Sequence, residues 1–332
     1  MTDTCQIEVF LARAGYGAAS HTPLPQDAGD RRYTRLTGGP HPAVLMQAPP
    51  NGTESVAAFL RIRADLATAG LSVPRLLAAE PAQGLLLLED FGEKNLAAQL
   101  DSLSDPAPLL LAAAGTLGPL GRVRVSNLPA WNAAAMTAAT EATFLDWWWP
   151  ASFGVLPAPQ IRAEFRDAML TMLAPLDAGP IGFVHRDYFA ANLFHLPARP
   201  GTRQIGLIDF QDAALGSPAY DLVSLTQDAR RDLPADLTAR AAQHLLAARP
   251  DLDPTDFDAA LAVCAAQRHL RVAALWVRLH RRDGKPAYLA HGPRCWRWLA
   301  TALDHPATAP LAAFLEHHVP PAMRGNPAMV PA

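Results

Sequence analysis

The sequence predicts an α+β protein of two lobes, a small antiparallel sheet with one helix followed by a larger, mainly helical lobe into which a short β-hairpin is set. Three observations lead there. The 332 residues exceed what one hydrophobic core ordinarily serves, since single cores stop growing at about 250–300 residues. Up to about residue 90, short apolar runs alternate with turns around a single stretch of helical periodicity. From about residue 95 onward long helical patterns dominate, and β-type residues return only over 182–212.

The first lobe, 1–90, reads as strands in "PLPQDAGDRRYTRL", "PAVLMQAPP" and "GLLLLED". Between the second and third, "SVAAFLRIRADLATAGL" places Val56, Phe59, Leu60 and Leu66 at helical spacing and stops at Gly70. "LEDFGEKN", 88–95, is the expected connector. The second lobe, 91–320, carries helical patterns over 95–121, 134–149, 160–176, 219–231, 235–248, 255–282 and 293–302. The last residues, 321–332, are Pro-rich and are expected to fray. No internal repeat of 20–50 residues stands out.

Composition narrows the function. Half of the residues are hydrophobic and 18% are charged, as in a globular protein. A net charge of -3 supplies no field for gripping nucleic acid or an anionic membrane, so a small molecule is the expected partner. Asp3 and Glu8 interrupt the opening segment, which does not read as a signal peptide. The apolar run "LLLAAAGTLGPL" is broken by Gly and Pro and is too short for a bilayer. Cys5, Cys264 and Cys295 are odd in number and unpatterned, which argues against a disulfide framework or a zinc site. These features together predict a cytoplasmic protein.

The chemistry concentrates in "GFVHRDYFAANLF" and "QIGLIDFQDA". Residues 192–196 and 205–209 read as a hairpin around the Pro- and Gly-rich "PARPGTRQ". Pairing Leu196 with Ile205 sets Leu193 opposite Ile208 and Asn192 opposite Asp209, Cβ atoms roughly 4.5–5.5 Å apart. An amide oxygen beside a carboxylate is a hard-oxygen pair of the kind Mg²⁺ takes, together with substrate phosphates. Asp187, on the loop entering the hairpin, is a separate carboxylate. A metal pair with a nearby proton acceptor is the equipment of phosphoryl transfer.

"HRDYFAAN" followed by "IDFQDA" resembles the catalytic and metal-binding loops of the protein-kinase-like superfamily, in the form used by the aminoglycoside phosphotransferase family. The resemblance implies a two-lobed kinase fold binding ATP, with Asp187 as catalytic base and Asn192 and Asp209 as Mg²⁺ ligands. His185 is read as structural. Asp221, in "GSPAYDLVSLTQDAR", matches the family's helix-start carboxylate that ties the catalytic loop in place. "DRRYTRL", "VLMQAPP", "FLDWWWP" and above all "QRHLRVAALWVRLHRRDGKPAYLAHGPRCWRWL", 267–299, resemble the sugar kinases of bacterial cell-wall recycling. Those enzymes phosphorylate N-acetylmuramate and N-acetylglucosamine at the anomeric carbon, which implies an amino-sugar acceptor and ATP as donor.

One departure is marked. A kinase carries a phosphate-binding Lys on its third strand, whereas here Met46 or Gln47 stands in that place. The only lysines are Lys94 and Lys285, leaving 28 − 2 = 26 arginines. Arg31 and Arg32, in the turn "DAGDRRY" that replaces the Gly-rich loop, are the expected substitute, because guanidinium binds phosphate bidentately. Met46, Glu89 and Phe91 are assigned with them to the nucleotide. Asp212, Asp146, Trp147, Arg268 and His269 are assigned to the acceptor. Arg268, on an otherwise apolar helix, needs an anion: either Asp212 or the lactyl carboxylate of N-acetylmuramate. The alternatives are an aminoglycoside or other small-alcohol phosphotransferase, and a nucleotide-binding regulator without turnover.

Overall fold

The computed structural model of the chain describes residues 4–25, 31–49, 53–234 and 236–327. The chain falls into two compact units. The first gathers Met1–Ser104, Val123–Val125 and Ala190–Asp212; the second holds Asp105–Arg122, Ser126–Phe189 and Ala213–Ala332. The hairpin thus groups with the N-terminal sheet, across the boundary expected at residue 90.

In the first unit, helix α1 (Thr4–Arg13) precedes strands β1 (Ser20–Pro23), β2 (Arg32–Thr37) and β3 (Ala43–Gln47), then helix α2 (Thr53–Thr68) and strands β4 (Leu76–Glu80) and β5 (Leu85–Glu89). The five strands form an antiparallel sheet of order β1-β2-β3-β5-β4. Register assigns its faces. Leu36 opposes Ala43 and Leu45 opposes Leu87, and this face packs on Phe10, Leu11 and Tyr16. Tyr33 opposes Met46, Arg35 opposes Val44 and Met46 opposes Leu86, so these residues line the other face. Helix α1 was not foreseen, although Ile7, Phe10, Leu11 and Ala14, all packed in this cluster, follow its one-sided spacing. Between β4 and β5, a turn of 3₁₀ helix (Pro81–Gln83) closes on Gly84 at φ +71°. A Cβ on Gly84 would also collide with the carbonyl of Ala48, so the turn demands glycine twice over.

The connector is firmly held within the first unit. Arg35 Nε donates to Asp90 Oδ2 at 2.5 Å and its Nη2 donates to the Gly92 carbonyl at 2.7 Å. Arg199 Nη2 donates to Glu89 Oε1 at 2.6 Å, with Arg75 on the same carboxylate.

The second unit is helical. The expected 95–121 helix is two helices, Leu96–Leu100 within the first unit and Ala107–Leu120 in the second, the latter held at its start by Asp105 Oδ1, which accepts from Ala107 N–H at 2.9 Å. The stretch Glu141–Trp148 is π-helical. The 30-residue helix Pro254–Asp283 starts at Asp253, whose Oδ1 accepts from Thr255 and Asp256 N–H, and ends at Gly284 with φ +65°. Helix Ala309–His318 was not expected. Residues 321–327 continue from a 3₁₀ turn, Pro321–Met323, into two contacts with indoles. Trp148 Nε1 donates to the Gly325 carbonyl at 2.7 Å and Trp296 Nε1 to Asn326 Oδ1 at 3.3 Å. Residues 328–332 lie outside the described residues. No helix among the described residues is long and apolar enough to cross a membrane.

Candidate active site

The loop that carries Asp187 leaves strand Gly182–Val184, which pairs with Ala214–Gly216. The backbone N–H of His185 donates to Asp221 Oδ2 at 2.6 Å and that of Arg186 to Asp221 Oδ1 at 2.9 Å. This tie matches the structural role read for Asp221. The two bonds turn Arg186 into the left-handed region at φ +73°, a strained conformation for a long side chain that persists only where surrounding contacts impose it. Arg268 Nη1 donates to the Arg186 carbonyl at 3.1 Å, and the Arg186 guanidinium sits 4.1 Å over the Trp131 ring. On the far side of Asp187, Tyr188 is fully buried and donates to the Ala113 carbonyl at 2.8 Å, while Phe189 N–H closes a tight turn onto the Asp187 carbonyl at 3.0 Å. Asp187 itself is half-buried, on a loop anchored before and after it.

Electrostatics reinforce the anchor. Burial lifts the Asp221 carboxyl to about 6, opposed by His185, the two backbone N–H groups and Arg268. Burial works against the charge of Arg268, but Tyr220, Asp187 and Asp221 outweigh it and hold the guanidinium above its ordinary value. Arg268 was assigned to the acceptor; the structure turns it inward instead, 5% exposed, onto the loop and Tyr220. The anions whose field it feels are Asp187 and Asp221, which answers the expected need for an anion. His269 is corrected likewise: it is fully buried, bonded to Gln227 Oε1 at 3.0 Å, and burial with the charge of Arg268 depresses its pKa to about 3. A neutral core imidazole cannot touch an acceptor.

The hairpin of the first unit corrects the expected register. Leu193 opposes Leu207, Phe194 opposes Gly206 and His195 opposes Ile205, one residue off the predicted pairing. The cause is the loop: the 3₁₀ turn Gly201–Gln204 brings the Gln204 carbonyl to Leu196 N–H at 2.7 Å, taking the place expected of Ile205. Ser72 fixes the outer edge, its carbonyl accepting Leu207 N–H at 2.8 Å and its hydroxyl donating to the Arg203 carbonyl at 2.6 Å. Asn192 therefore opposes Ile208, whose N–H it accepts at 3.1 Å. A one-residue slip sends side chains to opposite faces, yet Asp209 adopts φ +62° and returns its carboxylate to Asn192, Nδ2 to Oδ2 3.4 Å. Gln211 Nε2 bridges Asp209 Oδ1 at 2.8 Å and Asp212 Oδ2 at 3.1 Å.

Among the described residues no three His, Cys, Asp or Glu side chains converge as a metal held by protein alone would need. The donor set here is different in kind: Asp209 and Asp212 are exposed carboxylates and Asn192 a half-buried amide. Hard oxygens, few in number and open to solvent, fit Mg²⁺ that takes its other ligands from phosphate and water.

The nucleotide assignments divide. Burial raises the Tyr33 phenol, opposed by the charge and a side-chain hydrogen bond of Arg31 and assisted by Asp209. Tyr33 thus joins Arg31 to the metal-ligand candidate on the face that also bears Met46. Tyr33 and Gln211 were missed by sequence reasoning, although "RRY" and "IDFQD" contain them. Arg32 opposes Gln47 and alternates onto the other face with Leu36, so it does not share the Tyr33 surface. Residues 26–30 of the expected phosphate turn lie outside the described residues. Met46 is fully buried and offers no surface of its own. The Glu89 carboxylate is taken by Arg199 and Arg75. Phe91 packs 5.7 Å from Phe194 and against Gly206, where a Cβ would lie 2.7 Å from its ring. The last two support the hairpin rather than reaching for a nucleotide. Of the remaining acceptor candidates, Asp146 is exposed and paired with Arg162 at 2.7 Å, and Trp147 is half-buried beside the buried Trp148 and Trp149.

This fold and loop chemistry define a phosphotransferase of the protein-kinase-like class. The comparison with known families narrows it: the model of the phosphotransferase enzyme family APH matches residues 20–257, and the chain belongs to that family. An N-acetylmuramate/N-acetylglucosamine kinase from Caulobacter vibrioides is 33% identical, aligned over 94% of this chain and 95% of its own length. A kinase of the same name from Pseudomonas aeruginosa is 34% identical over 94% and 93%. Among solved structures, a choline/ethanolamine kinase family protein from Mesorhizobium loti superposes with TM-score 0.61 at 16% identity, covering 95% of this chain and 99% of its own. An ADP-bound aminoglycoside phosphotransferase gives TM-score 0.60 at 14% identity, over 91% and 98%. At such identities these structures speak to fold alone.

Proposed function

We propose that this protein transfers the γ-phosphoryl group of ATP to the anomeric hydroxyl of N-acetylmuramate and N-acetylglucosamine in cell-wall sugar recycling, in the cytoplasm. The observation that carries the reading is kinship along nearly the whole chain with kinases named for those two sugars. The loop chemistry supports it.

Asp187 accepts the proton of the attacking hydroxyl, a task that needs a carboxylate held in one orientation. Asp221 and Arg268 supply that hold through the backbone on its N-terminal side, and Tyr188 through the Ala113 carbonyl on the other. Asn192 and Asp209 would hold Mg²⁺, with Gln211 orienting the Asp209 carboxylate. Bound Mg²⁺ supplies charge neutralisation on the β- and γ-phosphates. Arg31 takes the phosphate-binding role that the missing lysine has in other kinases, since it shares the Tyr33 face with Asp209. Phosphorus NMR after incubation with ATP and Mg²⁺, offering N-acetylmuramate, N-acetylglucosamine and kanamycin in turn, tests the reading. A phosphorus signal coupled to an anomeric proton is expected; product from kanamycin alone would overturn it.

A further inference from the structure

Arg230 follows helix Ala219–Thr226 in the segment leading to helix Leu237–Ala248. Its backbone N–H is fixed by Asp228 Oδ1 at 2.8 Å, and its guanidinium lies 4.5 Å over the Phe189 ring and 5.3 Å over the Trp276 ring. Phe189 is the residue whose N–H closes the tight turn onto Asp187. The cation therefore stands against the catalytic loop. Arg230 is half-buried, and among the described residues its guanidinium makes ring contacts but no hydrogen bond or ion pair.

The charged groups around it are already committed. Arg294 is held by Asp232 at 2.7 Å and by the Ala229 carbonyl, and Arg268 by the Arg186 carbonyl and Tyr220. The buried Asp228 carboxylate caps Arg230 N–H and faces Arg231 at 3.7 Å. His291 is held below its ordinary pKa by burial and by the charges of Arg230 and Arg294. Trp276, itself buried, stacks on Tyr288 at 5.1 Å and 17° and meets His291 at 5.8 Å, which fixes the ring that the Arg230 guanidinium lies over. A guanidinium stacked on rings keeps its N–H fork free edgewise, the geometry that takes a carboxylate bidentately.

We propose that Arg230 is a specificity-determining residue that binds an acceptor carboxylate, namely the lactyl ether carboxylate that N-acetylmuramate bears and N-acetylglucosamine lacks. The inference rests on the sugar-kinase reading above. Arg268, turned inward, leaves this task to Arg230. A charge-assisted pair lost from an otherwise intact site weakens binding roughly 10- to 100-fold.

The test measures kcat/KM of wild type, Arg230→Gln and Arg230→Lys for N-acetylmuramate, its methyl ester and N-acetylglucosamine. In Arg230→Gln the value for N-acetylmuramate is expected to fall roughly 10- to 100-fold further than that for N-acetylglucosamine, with partial recovery in Arg230→Lys. Esterification is expected to penalise wild type and not Arg230→Gln. Equal losses on both sugars, or a wild type indifferent to esterification, overturn the proposal. The ester comparison on wild type stands even if the variants fail to fold. A wild type that phosphorylates neither sugar would overturn the sugar-kinase reading itself, a distinct outcome.

Discussion

Asp221→Asn separates what a buried carboxylate gives the catalytic loop from what it costs the fold. The carboxylate is 2% exposed and takes two backbone N–H donors, at 2.6 and 2.9 Å. Asparagine keeps one acceptor and turns an NH₂ group toward the second donor, so one charge-assisted hydrogen bond worth ~1.5–3 kcal/mol is lost. Arg186, whose left-handed backbone stores ~1–3 kcal/mol, then loses part of its tether. Against this, burial raises the Asp221 pKa from 3.8 to about 6. A carboxyl with a raised native pKa favours the fold fully below its unfolded value and loses that contribution as pH climbs through the native one. About two pKa steps at ~1.4 kcal/mol each amount to roughly 3 kcal/mol. Asparagine does not titrate. The stability of wild type minus variant should therefore decline by roughly 3 kcal/mol between about pH 4 and pH 7, measured by urea unfolding at four pH values. Turnover of the variant at pH 7.5 should fall about 10- to 100-fold, because the loop carrying Asp187 loosens. Parallel stability curves across that window, or a variant with full kcat, would refute the reasoning.

Three further outcomes are expected. Asp187→Asn should lower kcat by roughly 10²- to 10⁴-fold with its melting temperature within a few degrees of wild type, checked by coupled assay and calorimetry; retained turnover would remove it as the base. Arg31→Gln should raise the KM for ATP about tenfold or more while Arg32→Gln changes it less than about twofold, since Arg31 bonds the Tyr33 phenol and Arg32 leaves the face opposite Tyr33; the reverse order in steady-state kinetics would contradict the assignment. Gly84→Ala should destabilise by about 2 kcal/mol or more in urea unfolding, combining positive φ with a clash at the Ala48 carbonyl.

Much of this was legible in the sequence because period and punctuation carry it. The helix Pro254–Asp283 was read to within a residue at each end, its Asp253 cap and Gly284 stop being local signals. The residues of the loop and hairpin stand out because Asp and Asn between apolar runs are costly to bury unless a partner or a ligand satisfies them. What failed was set by tertiary contact. The hairpin register depended on a 3₁₀ turn and on Ser72, distant in sequence, and the meeting of Asn192 with Asp209 on a left-handed backbone that no pattern announces. Arg268 and His269 look like ligands in one dimension because a buried polar pair on an apolar helix demands partners. Their partners are Arg186, Tyr220 and Gln227, brought in by the fold.

The docking of Gly325 and Asn326 on the indoles of Trp148 and Trp296 has a practical side. The Trp148 indole caps the π-helical stretch against a carbonyl 177 residues further along, and Gly292 leaves no room beneath the Asn326 amide. A shortened version ending before residue 325 would leave two tryptophan donors facing nothing, whereas an affinity handle appended after residue 327 leaves both seals intact.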